Sequence, residues 1–420
     1  MRLLLGAQSC GYGPISKLAA LSRRLDHHDR LFVGTTVAAD FARRNADAFD
    51  DIVEAGAGVL DRLIEGSDYV VSVMDADLVL RAYAANRPAL MVDSLFSFWQ
   101  LRTPPRRIAD LCAVAPRGDH AALDAHFAEL APHERIYAAH LLADVSVVQN
   151  FPGVTERAAE ARELKPGRIE VTGPIVDEQA LAGVGAASAP NGPGHDLLIN
   201  LGGFKNFLLD YDRHNDYLRL FDRWVPDLLR DWPALERVAV CGGGYGNGRE
   251  RRVQVGGRVA EFGCMPHREF LPAVASARHY MLTPGLTAIH ESLRLGQLPM
   301  ALPEQHYGHI VNLESLAGTL FHRLGVGFSQ CIDDYRVPAD DFEGTAAIVR
   351  QTGRLLEDDS AYAGFRRAMN TRIEEFLATG PAARAGGVAE LRRLLRGPSF
   401  GDLLAEVLPA RTEALIGGRR

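Results

Sequence analysis

Short apolar runs alternate with stretches of helical periodicity along this chain, in two separate series. Arg2 to Leu5, Arg30 to Val33, Ile52-Val53, Tyr69 to Met74, Ala89 to Val92, Val145 to Val148 and Ile169 to Val171 form the first series. Leu197 to Asn200, Arg237 to Val240, Val259 to Phe262, Tyr280 to Leu282 and Leu298 to Pro303 form the second. Strands separated by helices imply parallel sheets covered on both faces. Between the series, Ala180 to Gly194 contains almost only small residues, glycine and proline, which reads as a linker. The expected organisation is therefore α/β: a doubly wound, Rossmann-like domain over 1–179, a linker over 180–194, a second such domain over 195–358, and helices with a tail over 359–420. A length of 420 residues agrees, being too long for one ordinary core.

Composition removes several function classes. The chain is 47% hydrophobic and 24% charged with a net charge of -7, so it lacks the basic footprint of a nucleic-acid binder. No apolar run approaches the ~20 residues of a membrane span. The opening MRLLLGAQSCGYGP is too short in its apolar core for a signal peptide, which points to the cytoplasm. Five cysteines, odd in number and without a CxxC pair, argue for buried thiols rather than a zinc site or disulfides. The histidines show no HExxH spacing, and His279 reads as structural.

Ligands of open α/β sheets bind beyond the carboxyl ends of the strands, which makes the polar residues there the candidate lining. Gly11 to Ser16 resembles the dinucleotide fingerprint with serine in its last place, but the acid expected after the second strand is replaced by Gly34-Thr35-Thr36, so a nicotinamide enzyme is disfavoured. That loop is either a floor for an acceptor or phosphate, or a structural turn. Ser9, Gly11, Tyr12, Ser94, Trp99 and Asn150 are the acceptor-side candidates. Asp75-Ala76-Asp77 has the spacing of a metal-binding carboxylate pair, or of a helix cap beside an exposed acid. Asp93, between a strand and the aromatics Phe96, Phe98 and Trp99, is either a desolvated general base or a helix cap. Gly242 to Gly248 lets a backbone approach a ligand, yet lacks the Lys-Ser/Thr ending of a phosphate loop, which argues against ATP hydrolysis.

Thr283 to Asn312 combines the most features. Pro284 and Gly285 punctuate a loop, then Leu286, Ile289 and Leu293 recur at helical spacing until Gly296. The N–H groups at such a helix start attract phosphate. Glu291 is either a carboxylate placed favourably in the helix dipole or a ligand-binding group. A buried strand, Leu298 to Pro303, leads to a loop with Gln305, His306, His309 and Asn312, suited to sugar hydroxyls.

Glu261 to Pro266, Tyr280 to Glu291, Leu298 to Pro303, Gln305-His306 and Asn312 together resemble the GT-B glycosyltransferases that use nucleotide-sugar donors. In pattern they are most similar to the peptidoglycan N-acetylglucosaminyltransferase and to natural-product glycosyltransferases. The resemblance begins near Asn200; the first half is similar only in architecture. It implies two Rossmann-like domains facing a cleft, with acceptor in the first, donor in the second, and domain closure bringing them together. Diphosphate would lie on Gly285, Leu286, Thr287 and Ala288, with Gly202, Gly203, Gly242 and Gly243 close to the donor. Met265 would face the base, Glu291 the ribose, and Gln305, His306 and His309 the transferred sugar. The implied activity is metal-independent, inverting transfer of a hexosyl or N-acetylhexosaminyl group from a UDP- or dTDP-sugar to a small-molecule acceptor, in natural-product (antibiotic) biosynthesis. The nucleotide sugar is a substrate, with no tightly bound cofactor, no polynucleotide and no membrane span, and a homodimer is left open. Asp93 is the first choice of base and Asp75 the second. The sequence departs from the family where its frequent histidine base is missing from Ser9-Cys10-Gly11-Tyr12-Gly13. It departs again in the sugar loop, which reads Glu304-Gln305-His306 and His309. Two other readings stand beside transfer: a nucleotide-sugar epimerase or hydrolase, and a non-catalytic partner with a degenerate transferase fold.

Overall fold

Leu3, Leu4 and Leu5 are fully buried in succession, as a strand covered on both faces requires. In the computed structural model, which describes residues 1–165, 168–186, 194–203, 215–246 and 248–408, they lie in β1 (Arg2–Ala7). Six more parallel strands complete that sheet: β2 (Asp29–Val33), β3 (Asp51–Val53), β4 (Tyr69–Val73), β5 (Ala89–Asp93), β6 (Val145–Gln149) and β7 (Arg168–Thr172), in the order β3-β2-β1-β4-β5-β6-β7. The chain steps outward from β1 to β3 and then returns to lay β4 against β1. The carboxyl ends of β1 and β4 therefore flank the topological switch point, where such sheets leave a crevice.

The second sheet repeats this logic. It contains β8 (Leu197–Asn200), β9 (Arg237–Cys241), β10 (Arg251–Val255), β11 (Arg258–Gly263), β12 (His279–Leu282) and β13 (Met300–Ala301), in the order β10-β11-β9-β8-β12-β13. All neighbours are parallel except the β10–β11 hairpin. Its switch point lies between β8 and β12. Against this sheet the helix Asp216–Asp231 buries Phe221 and Trp224, and the Trp224 ring meets Phe365 edge-on at 6.4 Å.

Internal contacts divide the chain into two units. One holds Met1–Ser9, Pro14–Asp177 and the chain from Leu394 onward; the other holds Cys10–Gly13 and Glu178–Arg393. The end of the chain joins the first sheet's unit: Gly173 N–H donates to the Pro398 carbonyl at 2.8 Å, and Phe400 and Leu404 of the last helix, Phe400–Val407, are buried. The expected linker needs correction, because Glu178–Ala186 is a helix. Its alanines, leucine, glutamine and glutamate favour helix enough to carry two glycines. Residues 187–193 of that stretch lie outside the described residues. The strand expected over Leu298 to Pro303 shrinks to Met300–Ala301, since prolines on either side cannot donate to a ladder. Among the described residues no cysteine forms a disulfide, but only Cys112 and Cys241 are buried; Cys10, Cys264 and Cys331 are half-buried. Among the described residues, no helix is long and apolar enough to cross a membrane.

Candidate functional site

At the second sheet's switch point the strand ends are stitched together by Asn200. Its Nδ2 donates to the Tyr280 hydroxyl at 3.0 Å, and its Oδ1 accepts the Gly202 N–H at 2.9 Å. Gly202 has φ +74, a left-handed conformation that favours glycine, and its carbonyl accepts from Gly243 N at 2.9 Å. Gly242 N donates to the Gly263 carbonyl, so Gly202, Gly203, Gly242 and Gly243 gather at the ends of β8 and β9. Beside them, Gly285 N–H turns back onto the Thr283 carbonyl at 2.6 Å and caps the helix Leu286–Arg294, whose first internal bond runs from Ile289 N to Gly285 O. The backbone N–H groups of Leu286, Thr287 and Ala288 belong to the helix start that attracts anions. Asn312 holds this turn in place, donating from Nδ2 to the Pro284 carbonyl at 2.9 Å.

Glu291 lies in the second turn of that helix, 5% exposed. His267, the first residue of the helix His267–Ser276, donates from Nε2 to Glu291 Oε1 at 2.8 Å. Sequence reading missed His267. It stands 24 positions from its partner, so no local spacing reveals the pair; only its place directly after Met265 and Pro266 hinted at a role. Met265 is half-buried at the approach to the same helix.

The loop after β13 is built rigidly. The Tyr217 hydroxyl donates to the Pro303 carbonyl at 2.6 Å. Glu304 turns inward, accepting Phe328 N–H at 3.0 Å and the Tyr335 hydroxyl, and burial pushes its carboxyl above the usual range. Gln305 N–H donates to His309 Nδ1 at 3.3 Å, which leaves the proton of a neutral His309 ring on Nε2. The His309 ring lies tilted against His306, with ring centroids 3.8 Å apart. Burial lowers His306 to about 4, and burial with the neighbouring His306 lowers His309 well below its ordinary value, so both rings are neutral at pH 7. His309 Nε2 lies 4.0 Å from where a Cβ on Gly285 would stand. The Gln305 Nε2 amide is buried with no partner among the described residues. A cavity of about 280 Å³, lined among others by Pro284, Glu304, His309 and Tyr335, adjoins this loop.

In the first unit the two candidate bases lie in different surroundings. Asp93 closes β5 with no exposure at all; its Oδ1 accepts Leu95 N–H at 2.6 Å, and its Oδ2 accepts Trp99 Nε1–H at 2.7 Å and His140 Nε2–H at 3.1 Å. It is a buried junction between elements rather than a base in an open cleft, because the aromatics that flank it in sequence close over it. Trp99 is thereby core, as is Ser94, whose hydroxyl lies 3.6 Å from Met74 Sδ. Asp75 is partly exposed beyond β4, at the switch point itself. It caps the helix Ala76–Ala84 by accepting Leu78 N–H at 3.3 Å, while burial lifts its carboxyl to about 6. Asp77 pairs with Arg81 at 2.7 Å, which is the cap-and-exposed-acid reading of that motif. Among the described residues, no group of three His, Cys, Asp or Glu side chains is placed to hold a metal ion. Ser9 donates to the Thr35 carbonyl at 2.8 Å, and Asn150 donates from Nδ2 to the Arg396 carbonyl at 2.6 Å. Gly11, with φ +104, and Tyr12 count by their contacts with the second unit, where the Tyr12 hydroxyl lies 3.6 Å from Cys264 Sγ.

Two doubly wound sheets, each with its polar strand ends at a switch point, define a fold class, and comparison with solved structures places it. The chain has the GT-B fold. LpCGTa, solved in complex with UDP, aligns over 97% of this chain and 98% of its own at 13% identity, with a TM-score of 0.52. The spinosyn forosaminyltransferase SpnP aligns over 94% and 99% at 14% identity and a TM-score of 0.44. UGT71G1 of Medicago truncatula, complexed with UDP-glucose, aligns over 94% and 98% at 11% identity and a TM-score of 0.44. No protein-family model matches the sequence, and none of the curated proteins matches it.

Proposed function

We propose that this protein transfers a sugar, hexosyl or N-acetylhexosaminyl, from a UDP- or dTDP-sugar to a small-molecule acceptor, with inversion and without a metal, in a natural-product pathway. The observation that carries the reading is the turn at Gly285. There a helix start, a neutral His309 with its proton on Nε2 and a buried Glu291 six positions beyond Gly285 stand together at the switch point of the second sheet. Phosphate suits the helix start, and a carboxylate suits ribose hydroxyls. The proposal assigns the donor to the second unit and the acceptor to the first.

The acceptor hydroxyl gives its proton to Asp75, its oxygen bonds the anomeric carbon, and the bond from that carbon to the diphosphate oxygen breaks. The departing diphosphate takes up the electron pair and is stabilised by the helix-start N–H groups and His309 Nε2–H. Titration calorimetry with UDP, dTDP and GDP tests the donor site. Glu291→Ala is expected to weaken the preferred diphosphate at least tenfold, because a hydrogen bond to a charged group is worth about 1.5–3 kcal/mol. Equal affinity of variant and wild type would remove the assignment.

A further inference from the structure

Glu291 is not a free carboxylate. Its Oε1 already accepts the Nε2–H of His267 at 2.8 Å, both side chains are at least nine-tenths buried, and among the described residues Oε2 has no hydrogen-bond partner. A carboxylate with both oxygens open can take the two adjacent hydroxyls of a ribose, one on each. Here a second hydroxyl would have to share Oε1 with a buried imidazole, weakening both bonds, whereas Oε2 is unshared.

We propose that His267 is a specificity-determining, positioning residue that makes Glu291 read a single ribose hydroxyl, so that the site accepts 2′-deoxyribose and ribose nucleoside diphosphates nearly alike. This rests on the reading of Glu291 as the ribose-binding group. The geometry offers a reason why Oε2 rather than Oε1 does the reading. His267 is fixed at the first position of its helix directly after Pro266, whose restricted backbone sets the entry of the chain, so the imidazole is held on one side of the carboxylate. A donor with a deoxyribose loses nothing in such a pocket if the hydroxyl it retains is the one that Oε2 accepts.

The test is titration calorimetry of the full chain with UDP, 2′-deoxy-UDP and 3′-deoxy-UDP, repeated for His267→Ala and His267→Gln. In the wild type, loss of the 2′-hydroxyl is expected to change Kd less than threefold and loss of the 3′-hydroxyl tenfold or more. In His267→Ala, Oε1 is released and both losses are expected to cost tenfold. Gln keeps a donor at this position, so His267→Gln should restore the wild-type pattern. A merely structural role for His267 would weaken all three ligands together and leave their ratios alone. A wild type that loses tenfold with 2′-deoxy-UDP, or ratios unmoved in His267→Ala, would overturn the proposal while leaving Glu291 as the ribose group. Equal affinity of Glu291→Ala and wild type for UDP would instead overturn the underlying reading and the proposal with it.

Discussion

Asp75 and Asp93 look alike in sequence, each an aspartate where an apolar run ends, and the fold separates them completely. Asp93 is enclosed by Trp99, which lies close by in sequence, and by His140, which arrives from an element that local sequence does not connect. Asp75 stays partly open with its carboxyl raised to about 6 by burial. If Asp75 is the base, turnover needs its carboxylate, so rate should fall as pH drops through about 6. Asp75→Asn should lower kcat by roughly 10²–10⁴ while leaving nucleotide affinity intact, since that is the usual share of general-base catalysis. The same shift bears on stability. A folded pKa above the unfolded one means that the folded state prefers the proton, so the penalty is absent below about pH 4 and complete above about pH 6. Asp75→Asn should therefore melt higher than wild type at pH 8 and not at pH 4. Asp93→Ala behaves differently: it strips the buried Trp99 Nε1–H and His140 Nε2–H of their shared acceptor, and urea denaturation should show a loss of about 1–3 kcal/mol for each group left unsatisfied. A variant of normal stability but no turnover would return Asp93 to the chemistry.

At the scale of elements, the glycine turn and the helix Leu286–Arg294 were legible because their signals are local: a Pro-Gly pair, apolar residues at helical spacing, and Gly296, which has φ +78. The parallel strands were legible for the same reason, as apolar runs between helical stretches. The hairpin strand β10 was not, since Arg251, Arg252 and Gln254 present an edge strand with almost no apolar pattern. His267 was hidden because its meaning depends on a partner two elements away. The gathering of Gly202 with Thr283 was likewise invisible, although each residue was noticed separately or lay in a noticed stretch. At Gly202 the left-handed backbone and a Cβ that would stand 3.3 Å from Thr283 Oγ1 act together. Gly202→Ala should cost about 1–2 kcal/mol in denaturant unfolding, from the backbone alone. It should also weaken diphosphate binding, because the strained turn abuts the strand end that leads to Gly285. Unchanged binding and stability would mean that the turn relaxes without consequence.

For the molecule as a whole, chain order misleads about which parts belong together. The helices expected to trail the second domain divide between the units: Asp359–Ala378 and Pro381–Leu394 pack with the second sheet's unit up to Arg393, and the chain from Leu394 returns to the first. That return is anchored by the Gly173 and Asn150 bonds to Pro398 and Arg396, by an ion pair between Arg168 and Glu406 at 2.9 Å, and by buried Leu395, Phe400, Leu404 and Leu408. Four such side chains contribute ~1.5–3 kcal/mol each, which is comparable to the whole stability of an ordinary domain. Ending the chain at Arg393 should therefore unfold the first sheet's unit at a markedly lower temperature in scanning calorimetry. The second unit keeps every residue assigned to the diphosphate, and a ligand at a hundred times its Kd stabilises its binder by about 2.7 kcal/mol. The upper transition of the truncated chain should thus still rise when a nucleoside diphosphate is added. Loss of that rise together with the truncated segment would show that the donor site depends on the first unit's integrity, contrary to the assignment of all its residues to the second.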